Sequence, residues 1–459
     1  MASDTSALPE GIFSLLDTDL YKLTMQCCIL KFFPEVLVTY SFTNRTPDKK
    51  LSRAAYKWLQ AQVAKLEGVS LSTDELQFLK STCTYLNDTY LQFLSNFCLR
   101  PSKQLKLVFN PIQDTGKDSD LGEFSIHTEG LWVDTILYEI PLLALISEAY
   151  FKFCDTDWSY TGQEDKAYTK GVQLLEAGCL FSEFGTRRRR DYHTQDVVLK
   201  GLRRAQDEAT QKGWKGKLTG TSNVHFAMKH NLMPIGTVAH EWFMGVAAIT
   251  NDYEHANELA LQYWTTTFGE GVLGIALTDT FGTPAFLRAF KKPLPAPAEG
   301  EPSAPASKKT YAQVFTGVRQ DSGDPLEFVK MMREFYDAEG IKDKKIIVFS
   351  DSLNIELCFK YKVAAEANGF QPSFGVGTFL TNDYVQESTG HKSIPLNIVI
   401  KIASASGRYA VKISDNIGKN TGDRATVDDV KQRLGYTEKS WAGGDESKRW
   451  GTADQSATS

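Results

Sequence analysis

No stretch of this sequence approaches the ~20 consecutive apolar residues that a helix needs to cross a bilayer. Residues 1–10 carry neither the basic nor the apolar region of a secretory signal. Both absences point to the cytosol, with the nucleus as a second compartment. Cysteine is sparse: seven in 459 residues, scattered apart from Cys27 and Cys28, with no Cys-x-x-Cys spacing. That argues against a disulfide framework and a zinc site and leaves buried thiols. An excess of positive charge is missing too. With a formal net charge of -5, the overall field offers nucleic acid no attraction, although cations focused inside a cleft would still hold a small anionic substrate.

What is present suits an enzyme. Hydrophobic residues make up 42% of a chain long enough to bury a large core. In seven segments an apolar run ends in a short polar or glycine-rich tail and a helix-like stretch follows; the tails are 182–187, 220–223, 236–241, 278–282, 319–324, 350–352 and 374–378. Such alternation predicts parallel strands with helical crossovers, that is, a β/α barrel. In a barrel the C-terminal strand ends converge on one mouth, so residues remote in sequence can meet one substrate.

Before the barrel, strands are predicted at 36–42, 104–109 and 123–127, helices at 56–66 and 73–79, and a further extended run at 131–140. Pro141 is placed to open a helix over 142–153. The barrel pattern then predicts helices over 188–211, 251–268, 325–338 and 354–368, and strands over 218–220, 233–239, 272–277, 316–319, 345–349 and 372–375. The segment 291–310, rich in Pro, Ala, Ser and Lys, breaks the rhythm and reads as a surface insertion or a lid. Beyond Trp450 the chain reads as a disordered tail.

The tails carry the chemistry. Gly375 and Gly377, ahead of Thr378, would let backbone N–H groups approach an anion or would serve a tight turn; Thr221 and Ser222 share that ambiguity. Of the arginines at 187–190, Arg187 stands nearest a strand end, where a guanidinium holds a carboxylate or phosphate in bidentate fashion. Arg319 and the two acids Asp321 and Asp324, with Ser322 between them, surround a glycine turn, and Asp279 and Asp351 end other strands. Acids so placed suit Mg²⁺ bound together with substrate phosphates, or cap the helices that follow. His240 follows an apolar run, and the adjacent Glu241 is a candidate to orient or charge its ring; histidine can also act as a nucleophile.

These motifs, together with 15–22 and 139–143, resemble those of nicotinate phosphoribosyltransferases, most closely the fungal type, over roughly residues 14–450. The resemblance implies an irregular β/α barrel of the type II phosphoribosyltransferase kind, over 151–394, beside an α/β domain built from 1–150 and 395–459. It implies transfer of phosphoribose from phosphoribosyl pyrophosphate to nicotinate, giving nicotinate mononucleotide and pyrophosphate on the route to NAD. ATP is an implied co-substrate, coupled through a phosphohistidine at His240; Mg²⁺ is the cofactor expected from the acids at the strand ends, with Asp321 and Asp279 as its candidate ligands. Tyr21 and Phe184 match the aromatic positions that sandwich the pyridine ring, with Arg187 and Arg319 suited to its carboxylate. Ser222 stands where related nicotinamide-specific enzymes carry an aspartate, so a hydroxyl donor replaces a group that would repel an acid. No nucleic-acid or membrane partner is implied, and the resemblance leaves room for a homodimer.

Three other readings compete. Quinolinate phosphoribosyl transfer would need further cations for a second carboxylate. A non-catalytic phosphosugar sensor has no use for a phosphorylatable histidine. An aldolase built on Lys401 or Lys412 lacks a carbonyl-handling set beside them.

Overall fold

In the computed structural model, residues 8–295, 309–416 and 420–436 are described. Most of the 291–310 segment and the tail beyond Trp450 lie outside them. No helix among the described residues is long and apolar enough to cross a membrane.

Two sheets organise the chain. The first, antiparallel, is built from β1 (Leu37–Asn44), β2 (Leu51–Ser52), β3 (Leu105–Pro111) and β4 (Leu121–Leu131). The second is parallel: β5 (Leu180–Glu183), β6 (Lys217–Thr221), β7 (Ile275–Leu277), β8 (Gly317–Gln320), β9 (Ile346–Phe349) and β10 (Gln371–Val376), in the order β6-β5-β10-β9-β8-β7. After a short ribbon of β11 (Tyr384–Val385) and β12 (Lys392–Ser393), the chain returns to the first sheet through β13 (Ile398–Ala405) and β14 (Arg408–Tyr409). β13 pairs antiparallel with β1 from Val38↔Ala405 to Asn44↔Ile398, so strands from both ends of the chain share one sheet. The parallel strands are short, and their buried Val, Ile, Leu and Phe explain why each reads as a continuous apolar run.

Two expectations fail, for different reasons. The run 131–140 is not extended: Trp132–Thr135 is helical, Ile136–Tyr138 forms a 3₁₀ turn, and the helix Glu139–Phe153 follows with Pro141 in its first turn, where no intrahelical bond is lost. Trp132, Val133, Ile136, Leu137, Tyr138 and Ile140 are all buried, and a segment buried on every side has no period to separate helix from strand. The run 233–239 is not a strand either. It makes one rung beside β6, with Thr221 N donating to Met233 O at 3.1 Å and Ile235 N to Thr221 O at 2.8 Å. Pro234, which bridges Thr221, has no N–H to extend the ladder.

The N-terminal segment occupies the space where a seventh strand would continue. Asp19 bridges Asn223, Leu20 N donates to Ser222 O at 2.8 Å, and Gly236 lies so close that a Cβ there would stand 3.1 Å from Leu20 Cβ and Tyr21 N. The barrel is therefore irregular, open between β6 and β7 and stopped by residues that also bear functional groups. A buried ion pair pins this segment: Arg189 Nη1 and Nη2 donate to Asp17 Oδ1 and Oδ2, both at 2.8 Å, and Asn223 Nδ2 donates to Asp17 Oδ1 at 2.7 Å. Removing one partner of such a pair strands the other charge in the interior. Arg189→Met is expected to lower unfolding free energy by about 3–5 kcal/mol, read from chemical denaturation, whereas Arg189→Met combined with Asp17→Asn should cost less than Arg189→Met alone.

Candidate active site

A cavity of about 210 Å³ lies at the C-terminal ends of the parallel strands. Phe184, Arg187, Arg319, Asp321 and Asp351 reach it from the strand tails, His240 from the start of the helix His240–Thr250, and Tyr21 and Asp19 from the N-terminal segment. Ser222, Gly375, Gly377 and Thr378 complete the expected lining. Gly375 is required by packing: a Cβ there would stand 2.4 Å from Cδ2 of Phe184, so the glycine makes room for that ring.

Three expected residues do not face the cavity. Thr221 is buried and donates to Glu183 Oε2 at 2.6 Å, and Ser322 is buried and donates to Asp279 Oδ2 at 2.5 Å. Asp279 pairs with Lys412, Nζ to Oδ2 at 3.1 Å, so an ammonium already stands where a metal would bind that oxygen. Glu241 lines the cavity but does not orient the histidine ring. Its carboxylate is taken by Lys22, by the Tyr40 hydroxyl and by Trp132 Nε1, the last at 2.9 Å. Successive positions at the start of the helix His240–Thr250 diverge, so sequence adjacency did not become contact.

The groups around His240 come from elsewhere. Nε2 lies 3.0 Å from Asp321 Oδ2 and 2.9 Å from Lys412 Nζ; Nδ1 lies 3.1 Å from Thr280 Oγ1 and 3.7 Å from Asp279 Oδ1. Lys412 only donates and favours a lone pair on Nε2 with the proton on Nδ1, whereas the ionised Asp321 carboxylate only accepts and favours a proton on Nε2, so the two neighbours pull the tautomer in opposite directions. Asp279 Oδ1 is buried and accepts no hydrogen bond among the described residues, which leaves it facing whatever positive charge develops on the ring.

Cations divide into engaged and open ones. Arg319 donates to Thr237 Oγ1 at 2.7 Å, Ser350 Oγ at 3.1 Å and Asp321 Oδ1 at 3.3 Å, so much of its fork is committed to holding Asp321. Burial alone would raise Asp321, but Arg319, His240 and Lys412 hold its carboxyl well below the usual range. Arg187, by contrast, is 46% exposed and donates no hydrogen bond to any described residue; its carboxylate neighbour, Glu139 Oε1, is 3.9 Å away.

Among the lining residues that sequence reasoning did not assign to the site, four carry charge toward it from unexpected places. Arg45, Lys401 and Lys412 come from the antiparallel sheet or just beyond it, and Asp19 accepts from Ser222 Oγ at 2.7 Å. Lys401 and Lys412 drew notice only as Schiff-base candidates, and no tail grammar marks them. Asp19 sat inside the 15–22 motif, where it could have been read. Burial, with Lys412 and Arg45 adding like charge, pushes Lys401 down to about 7.

Burial first and Lys412 second push His240 from its ordinary 6.5 down to about 4. A folded-state pKa below the unfolded one means that stability linked to this ring is present above pH 6.5 and lost as pH falls through about 4. The ring resonances of His240 should therefore titrate near 4 by NMR, and Lys412→Met should move the midpoint upward. A midpoint left in place would mean that Lys412 does not act on the ring.

Comparison with known proteins agrees with this architecture along nearly the whole chain. The nicotinate phosphoribosyltransferase (NAPRTase) family profile matches residues 179–438, and its N-terminal domain profile matches residues 16–147. A nicotinate phosphoribosyltransferase of Saccharomyces cerevisiae is 46% identical over 444 residues, covering 96% of this chain and 99% of that protein. A crystal structure from the same organism superposes with a TM-score of 0.86 at 44% identity, covering 94% of this chain and all of that one. A nicotinate phosphoribosyltransferase structure from Porphyromonas gingivalis gives a TM-score of 0.79 at 32% identity over 92% of this chain. The chain belongs to the nicotinate phosphoribosyltransferase family.

Proposed function

We propose that this chain transfers the phosphoribosyl group of phosphoribosyl pyrophosphate to the ring nitrogen of nicotinate, coupled to ATP hydrolysis through phosphorylated His240, as a step toward NAD. The observation that carries the reading is the open guanidinium of Arg187 in a cavity also lined by Tyr21 and Phe184. Two aromatic side chains suit a planar pyridine, and a guanidinium with unused donors suits its carboxylate.

In the transfer the bond from the sugar C1′ to the pyrophosphate oxygen breaks and the pyrophosphate leaves with the electron pair. The pyridine nitrogen supplies the pair for the new bond to C1′. Positive charge appears on the sugar while the leaving group gains negative charge, so positioning and fixed charges supply the catalysis. Arg45, Lys401 and Lys412 place cations along the same cavity for phosphate groups. For Mg²⁺, Asp321 fits: its carboxyl is held ionised and faces the cavity. When bound, the ion would neutralise phosphate charge. Lys412 takes only Oδ2 of Asp279 and leaves Oδ1 unpartnered, and His240, Asp279 and Asp321 each offer a ligand atom within 4.8 Å of the others, so Asp279 stays a candidate ligand beside Asp321.

For ATP coupling, the His240 tautomer that Lys412 favours, with its lone pair on Nε2, attacks the terminal phosphorus, with ADP leaving. The proton stays on Nδ1, beside Thr280 Oγ1, and the unpartnered Asp279 Oδ1 offsets the charge that grows on the ring. Pure protein given nicotinate, phosphoribosyl pyrophosphate and Mg²⁺ should form nicotinate mononucleotide and pyrophosphate, faster with ATP. His240→Ala should keep slow synthesis and lose both ATP stimulation and phosphate incorporation from labelled ATP. Incorporation that persists in this variant would remove His240 from the phosphoryl path.

Ser222 bears on substrate choice in a way the sequence left unseen, since its proton goes to Asp19. Burial raises the pKa of Asp19, with Arg187 and the Ser222 hydroxyl opposing the rise, and this acid lines the same cavity as the proposed site of the substrate carboxylate. Ser222→Asp would set a second acid against it. The expected result is a much larger fall in kcat/KM for nicotinate than for nicotinamide, because like charges at low dielectric repel while an amide can donate to the new acceptor. An unchanged ratio in folded protein would show that Ser222 does not read the acyl group.

A further inference from the structure

Behind Arg187 lies a cation that none of the chemistry above uses. Lys22, fully buried in the first turn of the helix Leu20–Phe32, pairs with two carboxylates, Glu139 Oε2 and Glu241 Oε2. Each acid has a second engagement. Glu241 Oε1 accepts from Trp132 Nε1 at 2.9 Å and from the Tyr40 hydroxyl. Glu139 turns its other oxygen toward Arg187 Nη1 but stops at 3.9 Å, too far for a hydrogen bond. Burial alone would push the Lys22 ammonium down, and the two carboxylates more than reverse this.

The arrangement is unusual because Arg187 and Glu139 are near neighbours at the cavity wall and do not close on each other. An arginine and a carboxylate within reach ordinarily form a bidentate pair. What holds Glu139 back on this side is Lys22, whose ammonium binds the opposite oxygen. If that ammonium were absent, Glu139 would stand in the interior without its main counter-charge, and Arg187, 3.9 Å from its other oxygen, would be a cation within reach. A closed Arg187–Glu139 pair would then occupy the same donors that a substrate carboxylate needs.

We propose that Lys22 is a positioning residue for substrate: by pairing with Glu139 it holds that acid off Arg187 and keeps the guanidinium's donors open to the carboxylate of nicotinate. This rests on the reading that nicotinate binds Arg187 in this cavity. It separates the motif Asp19-Leu20-Tyr21-Lys22 into three tasks. Asp19 bonds Ser222, Tyr21 offers its ring to the cavity, and Lys22 acts from behind on the anion site without touching a ligand.

The test is a set of charge substitutions in the full chain, with nicotinate KM measured at saturating phosphoribosyl pyrophosphate. Lys22→Met should raise nicotinate KM by about tenfold or more, the scale of a lost charge-assisted hydrogen bond, with kcat changed less. Lys22→Met combined with Glu139→Gln should bring KM back toward the wild-type value, because the competitor for Arg187 is then neutral; Lys22→Arg should stay near wild type. A loss of packing alone would not be repaired by a second buried substitution, so failure of the double variant to recover overturns the proposal. Glu139→Gln by itself decides the matter even where Lys22→Met does not fold. Its nicotinate KM should be equal to or lower than wild type, and a raised KM would mean that Glu139 orients Arg187 instead of competing for it. Wild-type protein that makes no nicotinate mononucleotide would refute the underlying activity; active wild-type protein with an unmoved KM in folded Lys22→Met would refute the role of Lys22 alone.

Discussion

The buried pair between Arg189 and Asp17 holds the rest together, because it fastens the start of the chain into the gap that the parallel sheet leaves between β6 and β7. A six-stranded arc cannot close on itself here: the segment expected to supply another strand contains Pro234 and makes a single rung. The N-terminal segment closes the breach instead, bridging Asn223 through Asp19 and bonding Ser222 through Leu20. That substitution has a chemical consequence. Barrel tails supply Phe184, Arg187 and the acids, while Asp19 and Tyr21 arrive from the inserted segment and Lys401 and Lys412 from the far end of the chain.

Three of the cations that line the cavity are in different states. Arg319 is committed to Thr237, Ser350 and Asp321, Lys412 is shared between Asp279 and His240, and Arg187 remains open. These differences matter more than the number of charges. An engaged arginine fixes a neighbour's ionisation, as Arg319 does for Asp321, whereas an open one can accept a new anion. The histidine between these groups is kept neutral by burial and by Lys412, the state in which a ring nitrogen can attack phosphorus.

Glu241 illustrates how proximity along the chain misleads. It follows His240 directly, yet it reaches Lys22, Tyr40 and Trp132 while Asp321, Lys412 and Thr280 surround the ring. Contacts of this kind are set by how a helix start is docked, and a list of neighbours in sequence does not contain that information. Gly375 shows the converse: it was readable as a special position, but the reason, clearance for the Phe184 ring, exists only after β10 and β5 are paired.

The sequence by itself determined the period of the barrel and the position of most of its working tails, because apolar runs ending in polar turns follow from burying parallel strands and exposing their ends. Helices such as Pro325–Ala338 were legible for the same reason, having one apolar stripe and a proline at the start. Tertiary structure alone decided the segments with no stripe to read, such as 131–140, buried on every side. It also decided which charges pair. Lys22, Lys401 and Lys412 occupy ordinary-looking positions, and they acquire roles only because two sheets and an inserted N-terminal segment bring carboxylates and cations from opposite ends of the chain into one low-dielectric space.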